Sequence, residues 1–276
     1  MGELPQPRPH TAFADRAYDT VGGTAAGKAL NLAALGHEVH LHTLLGADDA
    51  GERVRAGLER PGVTLHVAAS VTGTEQHVNL MAADGGRLSI YRSVCAPDAD
   101  LDLAPLAELA AECDAVVLDI ADYARRLVAP LAAAGIGFGT DLHDWDGSST
   151  HARDFADAAR WVVLSDGGTD DPDGLARRLA GQDRLVVCTH GARGATAYDG
   201  AREVAVPAAP ATAVVDTNGA GDAFCAGLLH GLHQGWPLER SVRAGTVAGA
   251  TAVEVETLAS PRLTAELLDT ATAPTP

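Results

Sequence analysis

From residue 103 onward the chain alternates helical and strand periodicity with few interruptions, and this alternation limits the fold more than any other feature. Helical patterns cover 103–113, 123–134, 151–160 and 172–180, and short apolar runs lie at 115–120, 136–140, 161–164 and 185–189. Strands separated by helices pair in parallel and need cover on both faces. The pattern therefore predicts an α/β fold, a doubly wound, mostly parallel sheet flanked by helices. Ligands of such sheets bind beyond the carboxyl ends of the strands, where Asp119, Asp141, Ser165 and Thr189 fall. A hairpin is expected over 195–198 and 204–206, and two consecutive helices over 220–233 and 238–255, with His230 and His233 at the surface.

The most specific stretch lies just ahead of and within the first of those two helices. Val214 and Val215 read as the end of a strand, a polar turn with Gly219 and Gly221 follows, and then a small-residue apolar helix. The glycines free the N–H groups of Gly219, Ala220 and Gly221 to converge at the positive end of a helix, a place that attracts phosphate. Asp222 stands where anions are favoured, so it is expected to stay ionised and accept a proton. A base beside an anion hole points to phosphoryl transfer. A glycine-rich turn with a first-turn acid would account for any one of these residues alone.

The run Asp216-Thr-Asn-Gly-Ala-Gly-Asp-Ala-Phe224 resembles the C-terminal motif of the ribokinase-like (PfkB) carbohydrate kinases. The resemblance implies that Asp222 is the general base toward the accepting hydroxyl and that the amides of Gly219, Ala220 and Gly221 hold the phosphoryl group. It places Thr217 and Asn218 beside the nucleotide. Thr189-His-Gly-Ala-Arg-Gly194 is similar to the family's nucleotide turn, which makes Thr189, Gly191 and Gly194 neighbours of ATP phosphates. ATP and Mg2+ are implied, and K+ is implied near Asp216. Where the family carries Asn-x-x-Glu this chain has Ser165-Asp-Gly-Gly168, so Asp141 or Asp166 is expected in an outer shell around magnesium.

Gly22-Gly-Thr-Ala-Ala-Gly-Lys28 opens a helix closed by Gly36, and it resembles the N-terminal motif of the same family. By that resemblance Gly22, Gly23 and Lys28 lie at the substrate. Gly27 replaces the usual Asn, and Asn31, one turn later, cannot simply stand in for it. Gly22, Gly27 and Lys28 also satisfy the P-loop spacing, but Ala29 takes the place of the magnesium-binding hydroxyl and no apolar strand precedes. A plain amphipathic helix with a solvated Lys28 is the third reading. Residues 1–20 contain no apolar run, so the first central strand is expected to be missing. Asp15 and Asp19 lie in no matching motif.

Alternating runs at 75–81 and 87–91 flank Asp84-Gly85-Gly86, a hairpin signal. The resemblance makes this a small β lid, contributed by about 10–22 and 64–95, that would exclude water from the phosphoryl acceptor. His77 and Asn79 share one face and are candidate substrate contacts, or else an exposed polar face.

At 276 residues and 46% hydrophobic content the chain is long enough for one large α/β domain or one domain plus a small appendage, and the resemblance implies a single ribokinase-like domain over 1–276. A formal charge of −17 argues against nucleic acid or an anionic membrane as partner. Cys95, Cys113, Cys188 and Cys225 lack metal or disulfide spacing and read as reduced packing residues, while His37, His40 and His42 lack the partners of a metal site. There is no membrane-length apolar run and no signal-peptide core, so a cytoplasmic location is expected. The expected partner is a sugar or nucleoside-like small molecule, with a homodimer through the lid. The rival readings are a catalytically weak nucleotide- or sugar-binding protein on the same fold and a P-loop NTPase using Lys28.

Overall fold

Along β6 (Trp161–Ser165) the side chains of Val162 and Leu164 enter one apolar core and Val163 enters another. This period of two is how a strand buried on both faces divides its side chains. The computed structural model describes residues 4–5, 8–9, 11–82, 86–98, 101–181 and 184–273. Around β6 a five-stranded sheet forms in the order β5 (Gly139–Asp141), β6, β7 (Leu185–Thr189), β8 (Ala195–Asp199), β9 (Arg202–Val206). The first three strands run parallel, and β8 and β9 are antiparallel additions at one edge.

One face carries α4 (Asp122–Ala133), α5 (Arg153–Ala158) and α6 (Pro172–Ala180), whose Leu127, Leu131, Phe155, Leu175 and Ala176 pack on Val162, Leu164 and Val186. The other carries α7 (Ala220–His233) and α8 (Leu238–Ala252), with Phe224, Cys225, Leu228 and Val242 against Val163, Val187 and Ala197. The helix α3 (Ala104–Glu112) precedes this layer and α9 (Ala265–Thr272) closes the chain's described part. The doubly wound, mostly parallel sheet expected from the sequence is present.

Ahead of it, α1 (Thr24–Ala34) leads to β1 (Val39–Leu45), α2 (Asp49–Leu58) and β2 (Val63–Ala69). β2 pairs in parallel with β1 along its whole length. The lid boundary drawn at 64–95 therefore took in a strand that belongs to a parallel pair. The antiparallel hairpin itself is β3 (Gln76–Met81) and β4 (Arg87–Ser93). Residues 84 and 85 of the expected turn lie outside the described residues, and Ala82 donates to the Gly86 carbonyl at 2.8 Å. Residues 11–23 form no strand, and no strand pairing among the described residues joins β1 and β2 to the five-stranded sheet.

Three further expectations need correction. The run 115–120 contributes only a single parallel bridge, Val117 to Gly139, because it has a partner on one side alone. Val214 and Val215 form no strand; both are exposed, and the backbone of Val215 instead donates to the Val253 carbonyl at 2.7 Å. His230 is buried, its Nδ1 2.9 Å from His37 Nε2 and its ring edge-on to Trp236. All four cysteines are free, with Cys188 and Cys225 buried.

Candidate active site

The loop before α7 is built around Asp216, whose carboxylate accepts from the Asn218 backbone N–H and from Asn218 Nδ2, both at 2.8 Å. An Asx turn of this kind folds the chain back on itself. Gly219 then caps the helix at φ 78°, a left-handed conformation that a side chain would strain. From there Ala220, Gly221 and Asp222 open α7; the Ala220 N–H reaches the Thr217 carbonyl at 3.4 Å, and the first turn of a helix otherwise leaves its N–H groups without internal acceptors. No atom lies within 4 Å of the point where a side chain on Gly221 would begin, so space for a ligand exists beside this turn. The helix dipole adds a positive field there.

Asp222, in the first turn, is buried and reaches across to α1, where Lys28 Nζ donates to its Oδ1 at 2.8 Å. The same ammonium lies 3.2 Å from Asp119 Oδ1 and 3.2 Å from Asp141 Oδ2. Three carboxylates from separate parts of the chain thus surround one lysine. Thr24, in the first turn of α1, donates to Asp119 Oδ2 at 2.5 Å. Burial pushes the Asp222 carboxyl up to about 6, with Lys28 opposing the rise and Asp141 adding to it. Burial also disfavours the Lys28 charge, but Asp119, Asp141 and Asp222 outweigh it and hold its pKa well above the ordinary value. For Asp141 burial works upward, yet Lys28 and His143 outweigh it and keep the carboxyl below the usual range.

This arrangement overturns two readings of Lys28. It is not solvated, being 3% exposed. Nor does it sit in a P-loop: Gly27 and Lys28 belong to the helix α1 rather than to a phosphate-wrapping loop, and the ammonium is taken up by carboxylates. Asn31 does not face a substrate either. Its Nδ2 donates to the carbonyls of Gly27 and Leu258, at 2.7 Å each, and so ties α1 to the loop beyond α8.

The hairpin meets the motif at Asn218. Asn218 Oδ1 accepts from Asn79 Nδ2 and from Arg87 Nη1, both at 3.2 Å. The amide that the sequence assigned to the nucleotide is therefore engaged by the hairpin, and Thr217 beside it is half-buried. His77 lies against Gly22, its Cε1 3.4 Å from where a side chain on that glycine would begin, and its ring stands 5.2 Å from that of Tyr91. Gly22, His77 and Asn79 are thus brought to one region, with Gly23 capping α1 next to Gly22.

At the carboxyl end of β7, Thr189 Oγ1 donates to the Leu164 carbonyl at 3.3 Å, and Gly191 and Gly194 bend the following turn at φ 55° and 105°. Arg193 of that turn is paired with Asp166, and His190 Nδ1 lies 3.4 Å from the same carboxylate. Asp173, Cys188 and His190 bring potential ligand atoms within 4.8 Å of one another, but Asp173 already accepts from Tyr198 and His190 meets Thr196.

Each carboxylate expected near a cation has a protein partner. Asp141 is held by Lys28, Asp166 by Arg193, and Asp216 by Asn218 and the Tyr18 hydroxyl. Asp141 and Asp166, expected in magnesium's outer shell, are thus engaged by cationic side chains, and Asp216, expected near K+, by neutral donors. What fits a nucleotide is the open amide turn of α7. Thr24, Tyr18 and Arg87 were not singled out by the sequence motifs, because each is recruited by tertiary contact alone, whereas the strand pattern had placed Asp119 at the ligand end of the sheet without its link to Lys28.

A buried carboxylate at the head of a helix opened by a glycine turn, on a doubly wound sheet, suits a phosphotransferase of the small-molecule kinase class. The pattern of the pfkB family carbohydrate kinases matches residues 10–119 and 154–265, and the chain belongs to that family. It is 35% identical over 261 residues to the acarbose 7(IV)-phosphotransferase of Actinoplanes sp. (strain ATCC 31044 / CBS 674.73 / SE50/110), covering 92% of this chain and 87% of that protein. It is 29% identical over 237 residues to fructoselysine 6-kinase of Escherichia coli (strain K12), covering 84% and 89%. Among solved structures, a microbiome-derived acarbose kinase, Mak1, superimposes with a TM-score of 0.84 at 29% identity over 99% of this chain and 94% of that one. Arabidopsis thaliana ribokinase superimposes with a TM-score of 0.75 at 19% identity, over 99% of this chain and 94% of that one, which speaks to the shared fold. No helix among the described residues is long and apolar enough to cross a membrane.

Proposed function

We propose that the protein transfers the γ-phosphoryl group of ATP to a hydroxyl of a carbohydrate, and that acarbose or a carbohydrate like it is the acceptor. The carrying observation is Asp222, buried at the open amide turn of α7 with its carboxylate fixed by Lys28. The acceptor class rests on the 35% identity to an acarbose phosphotransferase across 92% of the chain.

In this mechanism Asp222 takes the proton of the acceptor hydroxyl as the oxygen attacks the γ-phosphorus, and ADP departs with the electrons of the broken P–O bond. The amides at Gly219, Ala220 and Gly221 face the charge that builds on the transferred group, a kind of donor commonly worth about 3 kcal/mol each. Thr189, Gly191 and Gly194 border the nucleotide, and Gly22, Gly23, His77 and Asn79 border the acceptor. Magnesium would neutralise charge on the ATP phosphates, and K+ would lie near Asp216. The exposed side chains Val78, Leu88 and Ile90 on the hairpin are the surface through which two copies would pair.

ATP consumption measured against acarbose, fructoselysine, ribose and a nucleoside tests the reading. Turnover with acarbose or another sugar is expected. Nucleotide binding without turnover on any of these would leave a binding protein on a kinase fold and defeat the proposal. Equal rates in potassium and in a large inert cation would remove the K+ site.

A further inference from the structure

A general base needs one oxygen aimed at its proton and a charge state that suits the working pH. Both requirements meet at α1 in this protein. Lys28 Nζ holds Asp222 Oδ1 at 2.8 Å, while a side chain on Gly27 would begin 2.6 Å from Oδ2 and 2.8 Å from the Asp222 Cβ. Any larger residue at 27 would displace the carboxylate. The missing side chain at position 27 and the ammonium at position 28 are therefore two halves of one device: the first lets Asp222 lie against α1, and the second grips it there.

The charges around the pair point the same way. Facing Asp222 and Lys28 are Asp119 from the segment after the Val117 bridge, Asp141 from the end of β5 with His143 behind it, and the Cys225 thiol on α7. Burial keeps that thiol protonated. Without the ammonium, Asp222 would face the buried Asp141 and the part-buried Asp119 in a medium of low polarity, and like charges at such range favour protonation. Were Lys28 to swing out toward a phosphate, the three carboxylates would be left together without a cation, which holds the ammonium in place.

We propose that Lys28 is a positioning residue for phosphoryl transfer, aiming the Asp222 carboxylate and keeping it ionised, in a space that only glycine at position 27 leaves open. This rests on the kinase reading above. It assigns the lysine a role different from gripping substrate, and it explains why the residue is 3% exposed in the middle of a site.

The test is the pH profile of kcat with ATP and a sugar that the wild-type protein accepts. Lys28→Met is expected to lower kcat by about 10²-fold. It should leave the KM for ATP unchanged and move the acidic limb of the profile upward by about one unit or more. Because an unpaired carboxylate cluster endangers folding, Lys28→Met combined with Asp141→Asn, which removes one charge of each sign, is measured alongside. The paired variant is expected to fold, as judged by its thermal midpoint, and to stay slow because the grip on Oδ1 is gone. An acidic limb that does not move in Lys28→Met would overturn the proposal. So would recovery of wild-type kcat in the paired variant. A paired variant that cannot fold would make Lys28 a structural clamp and also overturn it. If the wild-type protein phosphorylates no sugar, both the kinase reading and this one fall; wild-type turnover with an unmoved limb defeats this one alone.

Discussion

The five-stranded sheet and the β1–β2 pair use the same kind of strand but are buried to very different depths. Val162, Val163 and Leu164 on β6 and Val186 and Val187 on β7 are at most 2% exposed, whereas β2 has no buried residue at all. The first region has a core on both faces, and one of those cores seats α7. The second joins it through α1, whose Leu32 and the capping Leu35 pack against Ala223 and Ala226 of α7 and Ala244 and Ala248 of α8, and through polar contacts: Lys28 with Asp222, Tyr18 with Asp216, and Asn79 and Arg87 with Asn218. The shallower burial of β2 and of the β3–β4 hairpin gives this edge of the molecule fewer buried contacts to lose on moving than the five-stranded sheet has.

The sharpest separation of the two halves comes from the base itself. Asp222→Asn removes proton acceptance without changing volume and is expected to lower kcat by about 10²–10⁴-fold, leaving the thermal midpoint and ATP affinity in place. Near-normal turnover would show that the buried carboxylate is structural. Next in size is a pair of core truncations. Leu164→Ala, on the sheet with 0% exposure, should cost about 2–5 kcal/mol in chemical denaturation, and Leu65→Ala, half-buried on β2, about 1 kcal/mol. Equal costs would erase the contrast between the regions.

The pH dependence follows from the raised carboxyl of Asp222. A base works only when deprotonated, so kcat is expected to be full above about 6 and to fall as pH drops through that value. A flat profile down to the ordinary carboxylate range would mean that burial is relieved when substrates bind. The smallest effect expected is that of Asn79→Ala, which removes one bond from hairpin to motif. Loss of a single hydrogen bond is worth about 1 kcal/mol, hence an acceptor KM higher by about fivefold with the ATP KM unchanged.

How much of this could be read in the amino-acid order varied with the distance over which each feature is decided. The helix at 220–233, the strand at 185–189 and the hairpin at 195–206 depend on local periodicity, and all are found where expected. The run 115–120 has strand composition but a partner on one side only, and Val214 and Val215 are β-branched yet exposed; composition does not reveal who pairs with whom. Lys28 was the hardest to place, since a lone lysine is a surface residue by default. Its burial depends on Asp119, Asp141 and Asp222, which lie 91, 113 and 194 positions away in the chain and meet only once the sheet and α7 are assembled. The motif marked the Asp222 carboxylate but not the cation that restrains it.

Asn218 gives the coupling between the two halves a concrete form. Its side-chain oxygen receives both hairpin donors, while its nitrogens hold Asp216 in the turn that leads into α7. One residue thus works as a latch: any displacement of the hairpin would pull on the bend ahead of the helix, so the two cannot shift independently while these bonds hold.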